Sequence, residues 1–256
     1  MKVATFNANS LRSRLHVVVP WLQTQAPDVL CLQETKVQDV DFPHEALRPT
    51  GYHCVFRGEK KYNGVAILTK SEPQDVAFGF DDEPLDAARL ARARVGPCLI
   101  VNTYVPQGQD RQLPAFQYKL DWLGRLRTYI ERHARPDEPV LWMGDLNTAR
   151  EAKDVYDPDR LWGHVCYCQE VQEALKGVMD WGFVDVFRQH CDEPGHYTFW
   201  DYRMPKALER NLGWRLDYIM ATPPLAKRCR TCWIDRPARA LAKPSDHTFL
   251  VAEFDI

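Results

Sequence analysis

Carboxylate and amide side chains stand directly after short apolar runs at several places in this chain of 256 residues. Asp145 and Asn147 follow the apolar run at residues 140–143, and Glu34 closely follows the run at residues 29–32. Each of these alone is ordinary turn chemistry, because loops use Gly, Asp and Asn in any case. Their recurrence at the ends of successive runs indicates one edge of a rigid scaffold on which loops carry function.

The polar residues at these positions share a chemistry. Five of them offer the hard oxygen ligands that magnesium combines with water and phosphate: Asn7, Glu34, Asp145, Asn147 and Asp246. His247 adds a cationic or proton-donating group, and Asp217 is a candidate partner to orient it. An isolated Asp-His pair is more often a loop salt bridge, but the whole set predicts metal-assisted phosphodiester hydrolysis.

The elements that must position these groups alternate between strand-like and helical patterns. Nine strands are predicted, at residues 2–6, 29–33, 52–56, 65–69, 91–95, 99–104, 140–144, 215–221 and 249–254. Helices are predicted at residues 15–25, 114–136 and 171–181. The second helix is marked by an apolar stripe at three- and four-residue steps, formed by Phe116, Leu120, Leu123, Leu126 and Ile130. Many strands with few long helices favour sheets packed on each other with helices outside.

Composition places the chain among folded proteins. With 45% hydrophobic and 27% charged residues, it is neither collagen-like nor disordered in bulk. At this length a single domain spanning residues 1–256 is the expectation. No apolar run reaches the ~20 residues of a membrane helix, and residues 1–9 lack the pattern of a signal peptide. The sequence therefore predicts a soluble, cytoplasmic protein.

Local charge and cysteine spacing bear on which partners and metals the chain binds. The formal net charge is −2, yet residues 203–243 hold ten Lys or Arg against three acidic residues. Solvated surface charge is the commoner meaning of such a segment, but it is also compatible with a nucleic-acid face. Cys166 and Cys168 are spaced differently from Cys229 and Cys232, which is a poor match to a four-ligand zinc site, so free thiols are expected.

A series of motifs runs in order through nearly the whole chain. They are Phe6-Asn7, Leu32-Gln33-Glu34-Thr35-Lys36, Asn63-Gly64-Val65-Ala66, Asn102-Thr103-Tyr104-Val105-Pro106, Gly144-Asp145-Leu146-Asn147, the segment at residues 181–188, Tyr197-Thr198-Phe199-Trp200, the segment at residues 211–218 and Ser245-Asp246-His247. On these motifs the chain resembles the exonuclease III family of apurinic/apyrimidinic (AP) endonucleases, within the deoxyribonuclease I-like superfamily. The resemblance implies an α/β fold: a four-layer sandwich of two packed mixed β-sheets with helices on both outer faces. That architecture agrees with the strand count.

The resemblance also implies a metal site. Glu34 matches the chief magnesium ligand and Asn7 stands beside it, with Mn²⁺ as a substitute ion. Asp246 matches a second or alternative metal contact, and Asp145 and Asn147 are further candidate ligands. Whether one or two ions bind is left open.

Catalytic roles follow from the same resemblance. Asp145 would activate the attacking water and Asn147 would position it. His247, held by Asp217, would stabilise charge on the phosphoryl oxygen, and Tyr104 would contact the scissile phosphate. The implied reaction cuts the DNA backbone 5′ to an abasic site and leaves a 3′-hydroxyl, in base excision repair.

The implied partner is double-stranded DNA with abasic or damaged 3′ ends, bound by a monomer associated with the nucleoid. Three residues match the family's pocket for the bare sugar: Phe199, Trp214 and Leu216. An abasic nucleotide is easily extruded from the duplex, and a small apolar pocket excludes a nucleoside. Arg12, Lys36 and the basic stretch at residues 203–215 would hold backbone phosphates.

The chain departs from the family pattern at residues 154–172, so the DNA contacts of that loop stay open. The balance among abasic endonuclease, 3′→5′ exonuclease, 3′-phosphatase and deoxyuridine-cutting activities also stays open. Two other classes are alternatives. One is a catalytically silent nucleic-acid-binding regulator on the same fold, which is disfavoured because the catalytic acids are all present. The other is a phospholipid phosphodiesterase of the same superfamily.

Overall fold

The computed structural model describes residues 1–256 and contains twelve strands in two six-stranded sheets. In chain order the strands are β1 (Lys2–Asn7), β2 (Val29–Gln33), β3 (His53–Arg57), β4 (Val65–Thr69), β5 (Gln74–Phe78), β6 (Leu90–Val95), β7 (Cys98–Tyr104), β8 (Val140–Asp145), β9 (Val184–Asp185), β10 (Asp217–Ala221), β11 (Cys229–Ile234) and β12 (Leu250–Phe254). The first sheet has the order β11-β12-β1-β2-β4-β3, and the second has the order β5-β6-β7-β8-β10-β9.

Eight α-helices connect or cover these strands. They are α1 (Leu11–Gln25), α2 (His44–Leu47), α3 (Pro114–His133), α4 (Pro158–Leu161), α5 (Gln169–Met179), α6 (Val186–His190), α7 (Pro223–Ala226) and α8 (Arg236–Arg239). Short 3₁₀ turns lie at Asp39–Asp41, Arg48–Thr50 and Ala152–Asp154. None of the helices combines the length and apolarity needed to cross a bilayer.

The two sheets pack face to face, and the strand periodicity of two distributes side chains between layers. Val3 of β1 and Leu141 of β8 belong to one apolar cluster that both sheets share. The next side chain on β8, Trp142, lies in a second cluster with residues of α3 and α5. Phe6 of β1 lies in a third cluster with α1. Central strands are therefore apolar on both faces, and the predicted sandwich of two mixed sheets flanked by helices is confirmed.

All nine predicted strands are present, with ends that differ by at most two residues, and three further strands were missed. The missed strands are β5, β9 and β11, and each lies at the edge of its sheet. An edge strand is half solvated and carries polar side chains, such as Gln74 and Asp75 on β5 and Arg230 on β11. A weak apolar signal at edges is the physical reason that sequence periodicity overlooked them.

Helix α3 differs from its predicted apolar stripe at one position. Leu120, which was predicted to face the core, is only half-buried, whereas its neighbour Lys119 is fully buried. Lys119 follows Phe116 by three residues and precedes Leu123 by four, so it lies on the core face of the helix. The buried face thus contains a lysine where periodicity favours an apolar residue.

Strand direction brings the polar strand ends to one edge of the sandwich. β1 pairs in parallel with β2, and β7 pairs in parallel with β8, so their carboxyl ends lie together. β10 runs antiparallel to β8 and β12 runs antiparallel to β1, so their amino ends lie at the same edge. This edge, where those six strand ends meet, is called the rim below.

Candidate active site

The rim collects polar residues from both sheets. Asn7 ends β1, Tyr104 ends β7, Asp145 ends β8 and Asp217 begins β10. Within the second sheet, Asp145 is the cross-strand partner of both Tyr104 and Asp217. Glu34 follows β2 with a φ of 48°, a left-handed backbone conformation that is uncommon for a residue with a side chain. The chain turns sharply there and leaves the carboxylate at the rim.

The Asn7 side chain links the two sheets. Its Nδ2 donates one hydrogen bond of 2.8 Å to Glu34 Oε1 and another of 2.8 Å to Asp145 Oδ2. Asn7 is completely buried, and its own Oδ1 accepts a hydrogen bond from the Asn9 backbone at 2.9 Å. One amide therefore holds two carboxylates from different sheets close together.

A histidine and an aspartate form a buried pair beside Asp145. His247 Nδ1 donates to Asp217 Oδ2 at 2.7 Å, while His247 Nε2 lies 3.8 Å from Asp145 Oδ2. Burial alone would lower the pKa of His247, but the charges of Asp217 and Asp145 outweigh it and raise that pKa to about 10. The imidazole is therefore a cation at neutral pH, with Nε2 directed toward the other carboxylate.

Asp145 has a pKa shifted in the direction that suits a proton acceptor. Burial raises the pKa of its carboxyl above the usual range, and the positive charge of His247 only partly opposes that effect. The Asn147 backbone N–H donates to Asp145 Oδ1 at 2.9 Å, and the Asn147 side chain donates to the Val105 carbonyl at 3.0 Å. Asn147 is thereby fixed against Asp145 by both its backbone and its side chain.

Glu34 and Lys36 form an ion pair at the other side of the rim. Lys36 Nζ lies 2.7 Å from Glu34 Oε2 and donates to Asn9 Oδ1 at 2.6 Å. Burial alone would raise the pKa of Glu34, but Lys36 and Asn7 outweigh burial and lower it. Lys36, which the family resemblance assigns to backbone phosphate, is paired here with two rim residues. Arg12 is exposed at the start of α1 and does not line the cavity described next.

A cavity of about 530 Å³ opens at the rim. Glu34, Tyr104, Asn147, Asp246 and His247 line it together with Phe199, Trp214 and Leu216. The structure therefore places the three expected pocket residues beside the candidate catalytic groups.

Two aromatic contacts shape this cavity. The Phe199 ring centroid lies 4.9 Å from that of His247, and the His164 ring centroid lies 4.9 Å from that of Trp214. His164 comes from the loop that departs from the family pattern, and it is exposed and lines the cavity. Asp246 Oδ1 accepts hydrogen bonds from Asn9 Nδ2 at 2.9 Å and Ser245 Oγ at 3.3 Å.

The predicted phosphate-binding stretch at residues 203–215 is wrong at its last residue. Arg215 is fully buried and pairs with Asp154 at 2.7 Å and with Asp185 at 2.8 Å. A guanidinium held between two buried carboxylates cannot reach a DNA phosphate, so its role is structural. Arg203 is exposed and lines the cavity.

The donor set at the rim fits a divalent cation. Asn7, Glu34, Asp145, Asn147 and Asp246 offer carboxylate and amide oxygens, which are the ligands that magnesium prefers. Asp217 Oδ1 is buried without a hydrogen-bond partner, and ligand atoms of Asp145, Asp217 and His247 lie within 4.8 Å of one another. The imidazolium of His247 balances the charge of Asp217. A bound cation would balance the remaining charge of Glu34 and Asp145, which Asn7 holds close together.

Sequence reasoning missed Lys119, which lies beside the cavity and is fully buried. Its Nζ donates to the backbone carbonyls of Gln107, Asn147 and Val165. The only available signal was a lysine at a helix position that periodicity assigns to the core.

The model of the Endonuclease/Exonuclease/phosphatase family matches residues 4–247. The chain is 34% identical to exodeoxyribonuclease III of Haemophilus influenzae over 267 residues, covering 99% of this chain and 100% of that protein. The structure of an AP endonuclease from Archaeoglobus fulgidus is 50% identical, with a TM-score of 0.98 and coverage of 100% of both chains. A 3′ phosphatase from Neisseria, solved with a product DNA hairpin, is 35% identical with a TM-score of 0.94 over 100% of both chains.

Proposed function

The chain belongs to the endonuclease/exonuclease/phosphatase family, and we propose that it is a metal-dependent DNA-repair phosphodiesterase that cuts the backbone 5′ to abasic sites and leaves a 3′-hydroxyl. The similarity to exodeoxyribonuclease III and to an AP endonuclease supports this activity. The likeness to a 3′ phosphatase supports a further 3′-end-cleaning activity, and the similarity to exodeoxyribonuclease III supports 3′→5′ exonuclease action.

One observation carries the proposal: Asn7 bridges Glu34 and Asp145 at 2.8 Å each, next to the His247–Asp217 pair. Phosphoryl transfer asks a protein for positioning and charge neutralisation more than for covalent chemistry. The rim offers acidic oxygens for a cation, a buried acceptor for a proton and a fixed imidazolium in one place.

Glu34 and Asn7 would hold a magnesium ion, with Asp145, Asn147 and Asp246 as further ligands of one or two ions. When bound, the metal supplies Lewis-acid neutralisation of phosphate charge, and manganese would substitute for it. The structure supports this set through its oxygen chemistry and through the buried acidic groups described above. Metal titration would give the number of ions that bind.

Each side chain at the rim would have a separate role in the reaction. Asp145 accepts a proton from a water that Asn147 orients, and the water oxygen attacks phosphorus. The bond from phosphorus to the 3′-oxygen breaks, and that oxygen takes up a proton to become the 3′-hydroxyl. Through Nε2, His247 donates a hydrogen bond to a phosphoryl oxygen, and the Tyr104 hydroxyl contacts the scissile phosphate. The other product end is a 5′-deoxyribose phosphate.

Phe199, Trp214 and Leu216 would receive the extruded sugar. Extrusion costs least for a nucleotide without a base, and the apolar wall suits a bare deoxyribose. Exposed Arg12 and Arg203 would contact backbone phosphates, so binding to DNA should weaken as salt concentration rises. Lys36 would act on the site indirectly, because its ammonium forms an ion pair with Glu34.

The residues that line the cavity are spread along the chain from Glu34 to His247, so we expect residues 1–256 to act as one domain. We also propose that the protein works as a monomer. Its substrate would bring it to the nucleoid. Sedimentation of the free protein and of its DNA complex tests the monomer.

The deciding experiment is cleavage of an end-labelled duplex with one tetrahydrofuran abasic analogue, in magnesium, in manganese and in EDTA. Undamaged, deoxyuridine and 3′-phosphate duplexes run beside it. Asp145→Asn is the site variant, and Asp192→Asn is the control because Asp192 is an exposed carboxylate outside the cavity. Metal-dependent incision that leaves a 3′-hydroxyl, retained by the control alone, is expected. Binding without cleavage in either metal would indicate a regulator, and loss of both would overturn the DNA assignment.

A further inference from the structure

Lys119 is the least expected buried group near the rim. It lies on the core face of α3 among Phe116, Trp122 and Leu123, and its accessible surface is 0%. Removing an ammonium from water is unfavourable unless other groups replace its hydration. A core position of this kind would be filled more simply by leucine or methionine, so the lysine calls for a specific explanation.

The ammonium makes three hydrogen bonds to backbone carbonyls. Nζ donates to Asn147 at 2.7 Å, to Val165 at 2.8 Å and to Gln107 at 3.2 Å. A lysine ammonium has three N–H donors, which match the three carbonyl partners. A longer contact of 3.9 Å runs from Nζ to Cys166 Sγ. None of the partners is a carboxylate, so the three short bonds hold backbone instead of forming an ion pair.

The three carbonyls belong to three different loops. Gln107 lies in the loop after β7, Asn147 in the loop after β8, and Val165 in the loop that precedes α5. Each loop supplies part of the cavity wall, through Gln107, Asn147 and Cys166 respectively. The ammonium is therefore the point at which three separate parts of the wall are held together.

Asn147 is the residue for which this fastening matters most. Its φ is 46°, in the left-handed region that an asparagine adopts at some cost. Its side chain and backbone N–H are already fixed by Val105 and Asp145. The bond from Lys119 fixes the remaining backbone polar group, the carbonyl, and so limits rotation of the backbone at this residue.

The chain also makes room for the lysine. Gly108 has a φ of 97°, and a Cβ added there would lie 3.3 Å from Lys119 Cδ. A side chain at that position would be strained and would press on the lysine stem.

From this geometry we infer that Lys119 is a positioning residue: it sets Asn147 against Asp145 and holds the cavity wall without touching substrate. The inference rests on the proposed function, in which Asn147 orients the attacking water. Small displacements of a positioned group reduce turnover strongly while leaving remote binding contacts in place.

The test compares Lys119→Met, which removes charge and donors at similar size, with Lys119→Gln, which keeps two N–H donors. Leu126→Ala is the matched control, because Leu126 is a fully buried residue of the same helix that does not line the cavity. Cleavage of the tetrahydrofuran duplex gives kcat and KM, DNA affinity is measured in EDTA, and circular dichroism confirms folding at the assay temperature.

Lys119→Met is expected to lower kcat by about 100-fold, with KM and DNA affinity in EDTA within about threefold of wild type and Lys119→Gln intermediate. Leu126→Ala should lose stability but keep its kcat. A folded Lys119→Met protein with wild-type kcat would overturn the inference. Failure of both lysine variants to fold, with Leu126→Ala folded, would also overturn it and make the residue purely structural. An inactive wild type would instead refute the proposed function.

Discussion

The contact between His247 and Asp217 gives the sharpest prediction, tested by Asp217→Asn. The hydrogen bond is 2.7 Å long, and Asp217 is the largest of the influences that raise the pKa of His247 to about 10. Each pH unit corresponds to about 1.4 kcal/mol, so the rise from an ordinary value near 6.5 stabilises the imidazolium by about 5 kcal/mol. If Asp217 supplies about half of this, its loss removes about 2–3 kcal/mol of imidazolium stabilisation, so at pH 9 most of the variant's His247 is neutral and its kcat is roughly tenfold below that of the wild type.

The direction of the pH dependence distinguishes loss of the His247 imidazolium from a general loss of activity. A raised pKa keeps His247 protonated at pH values below about 10 in the wild type. In Asp217→Asn the pKa falls, so the imidazolium is lost progressively as pH rises above about 7. The ratio of wild-type to variant kcat should therefore grow between about pH 6.5 and pH 9.

The assay is cleavage of the tetrahydrofuran duplex under saturating metal across that pH range, with Asp192→Asn as the control for an exposed carboxylate. Circular dichroism at each pH establishes that both variants are folded. A variant kcat within about threefold of wild type at every pH would refute the assigned role of the pair. If the variant loses much of its kcat but the ratio of wild-type to variant kcat does not change with pH, Asp217 acts by positioning His247 and not through the charge of His247.

Three further predictions concern the site and its support. Asp145→Asn should lower kcat by at least about 1000-fold while preserving folding and DNA affinity in EDTA; turnover close to wild type would remove Asp145 from the reaction. Trp214→Ala should raise KM for the abasic duplex much more than for a 3′-phosphate duplex, and equal effects would contradict the sugar pocket. Asp154→Asn should lower the free energy of unfolding by about 3–5 kcal/mol at pH 7, because it removes a buried carboxylate that pairs with both Arg188 and Arg215. Arg215 and Arg188 outweigh burial and lower the pKa of Asp154, so this difference should shrink as pH falls below about 4; a constant difference in urea unfolding from pH 7 to pH 3 would contradict it.

The fold was largely predictable from periodicity. Central strands such as β1 and β8 are buried on both faces, and their continuous apolar runs reveal them directly. Edge strands β5, β9 and β11 were missed because one side of each is solvated or because the strand is very short. Helix α1 begins at Leu11, four residues before the predicted start, because its first turn is polar and gives no apolar stripe.

The candidate site was predictable as a set of residues. Asn7, Glu34, Asp145, Asp217 and His247 come together at the rim because each lies at or near a strand end. The parallel and antiparallel pairing of the strands places these strand ends at the same edge of the sandwich. The assigned roles remain predictions until the variants are measured.

Only the tertiary structure decided which charged side chains pair with each other. Nothing in the sequence distinguishes the exposed Arg203 from the buried Arg215, or marks Lys119 as a tie between loops. The sequence shows which side chains carry a charge. The electrostatic free energy of each charge depends on its burial and on partners from distant segments, such as Asp154 and Asp185 for Arg215. The sequence by itself determined which elements form and which polar groups end them, because periodicity and turn chemistry act over a few residues. The packing of the two sheets decided which charges face solvent and which ones hold the site together.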